Sequence, residues 1–291
     1  MRIRALRLTP VARAWLQAAG PARPLHIFSQ VCNLIDDGGR VLSLQTARLA
    51  DGPLSLTVPA QVGGGQGLGH WIHDQTSIVR LEDRLTVGKL TIDWAGAENW
   101  DPTPDWQRLR ADQGFTSRLP ALRRLLAAGA PPGGLAGLLD EGELAADSLA
   151  AQLLATAGPL AAALQSALRS GNRSRLQPAA AGLAGLGGGL TPSGDDYLVG
   201  VMHALWIQRP PAESTELSEL LVSAAVPRTT PLSAAWLQAA ADGQASRLWH
   251  DLLEALLSAE GGAIEAPARA LMAVGHTSGA DALAGFLQAF E

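Results

Sequence analysis

The stretch from Gly185 to Gly200, GLGGGLTPSGDDYLVG, gathers more chemistry-bearing residues than any other part of the chain. Three consecutive glycines, Gly187, Gly188 and Gly189, precede Thr191, Ser193, Gly194 and the adjacent carboxylates Asp195 and Asp196. An apolar helical pattern then begins at Leu198, Val201, Met202 and Leu205. Glycines let a ligand approach the backbone closely, and a helix N-terminus offers N–H groups to an anion. A carboxylate beside that ligand can take a proton from it. The competing reading is a capped helix. Thr191 as cap puts Pro192 at the first helical position, and Ser193 as cap puts Asp196 at the third, as in a capping box. Capping accounts for Thr, Pro, Ser and one Asp, but not for three glycines beside two carboxylates.

The segment has an echo. Gly275 to Leu287 reads GHTSGADALAGFL, and laying Asp281 on Asp196 also lays Leu283 on Leu198 and Gly285 on Gly200. His276, Thr277, Ser278 and Gly279 form its polar approach. Between the two lies Pro227-Arg228-Thr229-Thr230-Pro231, another polar break before a helix, and it supplies a cation. The pattern predicts that the turns at 187–196 and 275–281 meet, with Arg228 or Thr229 at the same pocket. Asp196 and Asp281 should then lie within roughly 12 Å, close enough to reach one small ligand. Two aspartates beside an anion repel it unless one is protonated, a metal intervenes, or they face away.

At these residues the chain resembles a known family. GLGGGLTPSGDDYLVG, RTTPLSAAWLQAAADG (228–243) and GHTSGADALAGFL are similar to three signature stretches of the AllH family, which includes a subunit of oxamate carbamoyltransferase. VCNLIDDGGRVLSLQT and DGPLSLTVP fit that family's strand region, and Gly188 stands where members often carry proline. The resemblance implies a reversible carbamoyl transfer, oxalurate and phosphate to oxamate and carbamoyl phosphate, in allantoin catabolism and together with two companion subunits. For such a transfer the chemistry of the residues makes Asp195, Asp196 and Asp281 the candidate catalytic groups. Gly187, Gly188, Gly189, Thr191, Ser193, Gly194, Arg228, Thr229, His276, Thr277, Ser278 and Gly279 would bind the small carboxylate and phosphate substrates. No cofactor is expected. Two other readings stay open: a hydrolase in which the three aspartates hold Mg²⁺ or Mn²⁺, and a non-catalytic subunit that binds a small acid and regulates a partner.

The elements that must position these residues follow from composition and period. In 291 residues the chain has 22 basic and 27 acidic groups, a net charge of −5, with Lys89 as its only lysine. That excludes a Walker A loop and leaves no basic stripe for a nucleic-acid backbone. Cys32, the only cysteine, excludes disulfides and CxxC metal sites. G-x-S-x-G, H-E-x-x-H and EF-hand patterns are absent. Gln61 to Gly69 (QVGGGQGLG) reads as a mobile loop, and His70 and His73 as a histidine pair without a third ligand. The uncharged run Ser148 to Leu168 is interrupted by Gly158-Pro159 and keeps leucines at helical spacing, so it reads as a packed helix pair and not a membrane span. With no signal-peptide pattern, a cytoplasmic location is expected.

Residues 1 to 100 hold 11 alanines and the remaining 191 hold 41. The expected fold is α+β, a β-rich part over 1–114 followed by an α-helical part over 115–291. In the first, Thr9 and Pro10 open a helix to about Ala19. Strands are expected over 25–35, 40–46, 54–58, 77–81 and 89–94, with a hairpin at Asp36-Asp37-Gly38-Gly39 and a linker or covering loop over 96–114. In the second, helices are expected over 117–128, 144–170, 173–184, 193–207, 213–225, 231–241, 246–260, 264–274 and 279–290.

Overall fold

The computed structural model describes residues 1–62, 65–139, 148–258 and 263–291. Gly63 and Gly64 of the glycine-rich run, residues 144–147 and residues 259–260 lie outside the described residues. The architecture is α+β, and the chain divides into two compact units, Met1–Pro102 and Thr103–Glu291.

The first unit runs β1 (Arg2–Arg4), β2 (Arg7–Leu8), α1 (Pro10–Gln17), β3 (Ala22–Ile27), β4 (Val31–Asp36), β5 (Val41–Thr46), β6 (Ser55–Val58), β7 (Ile78–Arg80), β8 (Arg84–Val87), β9 (Leu90–Asp93) and β10 (Glu98–Asn99). Thr9 caps α1 by accepting from the Ala12 N–H, with Pro10 in the first turn. The strands form a four-stranded sheet, β1-β9-β8-β7, and a six-stranded sheet, β10-β2-β6-β5-β4-β3. The Asp36–Gly39 turn closes the antiparallel β4–β5 hairpin, with Ile35 opposite Val41. The expected strand over 25–35 is two strands, broken at Phe28 to Gln30, where the chain reverses and β3 pairs antiparallel with β4. A single largely apolar run hides such a reversal because Phe28 to Gln30 contains no Gly or Pro to mark the turn. β1, β2 and β10, at two or three residues, are too short for alternation to be read, and β8 (RLTV) alternates but lies outside the expected strands. Leu8, Trp15, Leu34, Leu44, Leu56 and Ile92 are fully buried in this unit's core.

The second unit is helical: α2 (Trp106–Ala111), α3 (Phe115–Gly129), α4 (Leu149–Ser170), α5 (Arg173–Leu183), α6 (Ser193–Gln208), α7 (Pro211–Ala225), α8 (Pro231–Ala241), α9 (Arg247–Leu257), α10 (Glu265–Met272) and α11 (Ser278–Gln288). The stretch expected as a linker supplies β10 to the first unit and α2 to the second. Asp105 caps α2 at the Arg108 N–H, and the Trp106 indole donates to the Gly243 carbonyl at 2.8 Å. The boundary between units therefore precedes the composition break. The run through Pro159 is one helix of 22 residues, not a pair. Proline removes one helical hydrogen bond, but the buried face formed by Ala157, Ala161, Leu164 and Leu168 continues across it and holds the helix together. No helix among the described residues is long and apolar enough to cross a membrane.

Two helices lie at the centre of this unit. α6 is buried from Tyr197 through Leu205, and α11 from Gly279 through Leu287. A helix apolar on all sides belongs inside a core, and both sequences have that character. They pack directly on each other.

Candidate active site at the crossed helix N-termini

The crossing of α6 and α11 is reciprocal. A Cβ on Gly200 would stand 1.8 Å from the Ala282 carbonyl oxygen, and one on Gly285 would stand 2.0 Å from the Tyr197 carbonyl oxygen. Gly200 corresponds to Gly285 in the echo, and Tyr197 to Ala282, so each helix places its glycine on the equivalent carbonyl of the other. The same exchange recurs at the N-termini. The Ser193 hydroxyl opposes the rise in the Asp281 pKa, and its equivalent, the Ser278 hydroxyl, opposes that of Asp196. The hydroxyls of Thr191 and Ser278 are 3.0 Å apart. The two turns meet, as the repeated pattern predicts, through an internal near-twofold relation.

The two neighbouring aspartates of the first motif have different surroundings. Asp195 is fully buried, and both its oxygens are occupied. Oδ1 accepts from the Gly185 N–H at 3.1 Å; Oδ2 accepts from the Ser233 hydroxyl at 2.9 Å and from the Thr229 hydroxyl. It braces the turn before α6 against the start of α8. Burial raises its pKa, and these three hydrogen bonds oppose the rise.

Asp196 and Asp281 are the pair left open. Asp281 is 0% exposed, and its Oδ1 accepts from the Leu135 N–H at the start of the short 3₁₀ helix Leu135–Leu139. Its Oδ2 is buried with no hydrogen-bond partner, and so is Oδ2 of Asp196. Burial pushes the Asp196 carboxyl well above the usual carboxylate range. The Ser278 and Thr191 hydroxyls oppose that shift, while the charges of Asp281 and Asp195 add to it. Burial also raises Asp281, against Ser193, Thr277 and the Leu135 and Ala136 N–H groups. A helix N-terminus lowers a carboxyl pKa by an amount worth typically 0.3–1 kcal/mol. Desolvation of a buried carboxylate is larger and prevails here.

Neither expected cap forms. The residue before α6 is Pro192, and no side chain caps the helix. The Thr191 hydroxyl pairs with that of Ser278 in the other motif and so is not available to the first turn. Backbone carbonyls take those donors instead: Gly194 N–H goes to Leu186, and Asp195 and Asp196 N–H go to Pro192. In the echo, Gly279 N–H goes to Val274 and Asp281 N–H to Thr277. The expectation of free first-turn donors is thereby corrected at these positions, and further backbone donors lie earlier. Among the described residues, the N–H groups of Gly187 to Thr191 make no backbone bond, and Gly187 to Leu190 are exposed. Gly187, at φ +105°, and Gly189, at φ +94°, turn this rim through a conformation that side-chain-bearing residues avoid.

Of the remaining predicted residues, Thr229 reaches Asp195. Arg228 approaches through its backbone, because a Cβ on Gly185 would stand 2.4 Å from the Arg228 carbonyl oxygen. The Arg228 residue is exposed, and so is His276. His70 and His73 are exposed, with His70 edge-on to the Trp71 ring. Among the described residues no group of three His, Cys, Asp or Glu side chains is arranged to hold a metal. A cavity of about 400 Å³, lined by residues including Arg110, Phe115, Ile207 and Arg209, lies by the C-terminal end of α6, away from the motifs. Sequence reading missed Gly134. A Cβ there would stand 2.2 Å from Asp281 Oδ1, so glycine is what admits the carboxylate to the Leu135 N–H. Pro131-Pro132-Gly133-Gly134 signals a turn, but nothing in it names Asp281 as the neighbour.

The fold and site together define an α+β protein whose helical unit carries two carboxyls, each with one buried, unpartnered oxygen, at two helix N-termini that meet. Residues 183–290 match the family model described as oxamate carbamoyltransferase subunit AllH. The matched segment runs from the end of α5 through α11 and contains all three motifs; residues 1–182 lie outside it. Neither the curated proteins nor the solved structures gave a match.

Proposed function

We propose that this chain is a subunit of an oxamate carbamoyltransferase and that it holds the small acid at the Thr191–Asp196 and Thr277–Asp281 turns. The observation that carries the reading is the contact between these turns, both inside the matched segment, through Thr191 and Ser278 at 3.0 Å. In the forward direction a phosphate oxygen attacks the carbamoyl carbon of oxalurate and the bond from that carbon to the inner nitrogen breaks. Carbamoyl phosphate forms, and the proton of hydrogen phosphate ends on the amide nitrogen of oxamate. A carboxyl whose pKa is raised above the ordinary aspartate value suits that transfer. Asp196 and Asp281 have that character, while Asp195, with both oxygens bonded, supports the turn. The exposed N–H groups of the Gly187–Thr191 rim suit a phosphate or carboxylate oxygen.

The test is reconstitution with the two companion subunits, following carbamoyl phosphate formed from oxalurate and phosphate. Wild type should turn over, and Asp196→Asn should lower kcat by ~10²-fold or more. Absence of turnover in the complete assembly, with no thermal shift of the chain by oxamate, would remove the assignment.

A further inference from the structure

We propose, resting on the reading above, that Asp196 and Asp281 act as a pair that receives the NH₂ end of an amide or carbamoyl head group and rejects a carboxylate in the same place. Two unpartnered oxygens carry the argument. Oδ2 of Asp196 and Oδ2 of Asp281 are both buried without a donor, although a buried polar atom left unpaired costs about 1–3 kcal/mol. Neither oxygen has a donor within hydrogen-bond distance, although the Thr191, Ser193 and Ser278 hydroxyls are neighbours of the pair. The first-turn N–H groups of Gly194, Asp195, Asp196, Gly279 and Asp281 all bond to backbone carbonyls. Among the described residues no arginine or lysine forms an ion pair with either carboxyl. The base of the site therefore offers acceptors, and an anionic oxygen placed there meets like charge. A primary amide brings an NH₂ donor and a carbonyl acceptor side by side.

The groups facing the pair fix its protonation. Asp196 is faced by Asp281 and Ser278 from α11 and by Thr191 and Asp195 from its own side; Asp281 is faced by Ser193 and Thr277, and by the Leu135 and Ala136 N–H groups. The charges of Asp281 and Asp195 both add to the rise in the Asp196 pKa, so like charge beside a buried carboxyl favours holding a proton there. The protonated member then donates to a ligand carbonyl while the ionised member accepts from its NH₂. That is the pattern of a primary amide and the reverse of a carboxylate. The rim N–H groups of Gly187 to Thr191 remain for the anionic end of the same ligand.

Oxamate and oxalate differ at one end, NH₂ against O⁻, and make the decisive pair of probes. Titration calorimetry on the full chain, alone and with its companion subunits, should show oxamate binding at least ~10-fold more tightly than oxalate near neutral pH. Asp281→Asn, which supplies a donor with little change of shape, should bring the ratio toward one, with circular dichroism confirming the fold. Carboxyl ¹³C titration should also show the Asp196 midpoint falling in Asp281→Asn. Oxamate and oxalate binding equally to wild type, a ratio unmoved by Asp281→Asn, or an unmoved Asp196 midpoint would each overturn the pair while leaving the carbamoyltransferase reading intact. Binding of neither acid in any assembly would overturn both.

Discussion

Gly285→Ala isolates the contact on which the site depends. In an ordinary helix interior this substitution stabilises, because alanine exceeds glycine in helix propensity by about 0.8–1.0 kcal/mol. Here the new Cβ would stand 2.0 Å from the Tyr197 carbonyl oxygen, about 1 Å inside the closest approach such atoms tolerate. The obstacle is backbone within α6, so it has no rotamer to escape into; α11 must move instead. Overpacking of this kind costs about 1–3 kcal/mol, occasionally more, and a rigid backbone neighbour puts it at the upper end. The net loss should be about 2 kcal/mol, which in a unit of this size lowers Tm by about 4–8 °C. Because α11 carries Asp281, a displacement of about 1 Å should also cut turnover by ~10²-fold. Gly182→Ala in α5 is the control. Its Cβ would stand 2.7 Å from Leu160 Cδ2, the end of a flexible side chain that can rotate away, so its Tm should hold or rise. Thermal unfolding followed by circular dichroism compares the two. If Gly285→Ala were as stable as Gly182→Ala, the close crossing of α6 and α11 would be refuted, and with it the paired site.

Raised carboxyl pKa values have a direction in stability. The folded chain keeps protons on Asp195, Asp196 and Asp281 that the unfolded chain has released, so unfolding free energy should fall as pH rises from the ordinary aspartate range through the raised values. Asp196→Asn removes its share, and urea unfolding should find the variant more stable than wild type at about pH 8 with the gain gone by about pH 4. An equal difference at both pH values would show that Asp196 is not desolvated. Burial pushes the Cys32 thiol up to about 12, so iodoacetamide should label it only under denaturing conditions. Rapid labelling of the folded protein would contradict the burial of β4.

Local rules made much of this protein legible from its residues. Thr9-Pro10 opens α1, Asp36–Gly39 turns the β4–β5 hairpin, and the helices from α5 to α11 begin and end near their Gly, Pro and polar breaks. The meeting of the two motifs was legible too, because a repeated spacing of Asp, Leu and Gly implies two equivalent helix starts, and glycines at matching places imply a close crossing. The roles within the motif were not. Asp195 and Asp196 are adjacent and chemically identical, yet a helical step of about 100° sends one to Ser233, Thr229 and Gly185 and the other to the partner turn. Thr191 and Ser193 have the sequence of helix caps, but neither caps α6, and the Thr191 hydroxyl pairs with that of the distant Ser278. Gly134 lies far along the chain from Asp281, and only folding reveals that its missing side chain makes room for that carboxylate. Propensity and period act over a few residues and can be read from the sequence. Hydrogen-bond partners and desolvation depend on which distant surfaces meet, and that is decided by the packing of α6 on α11.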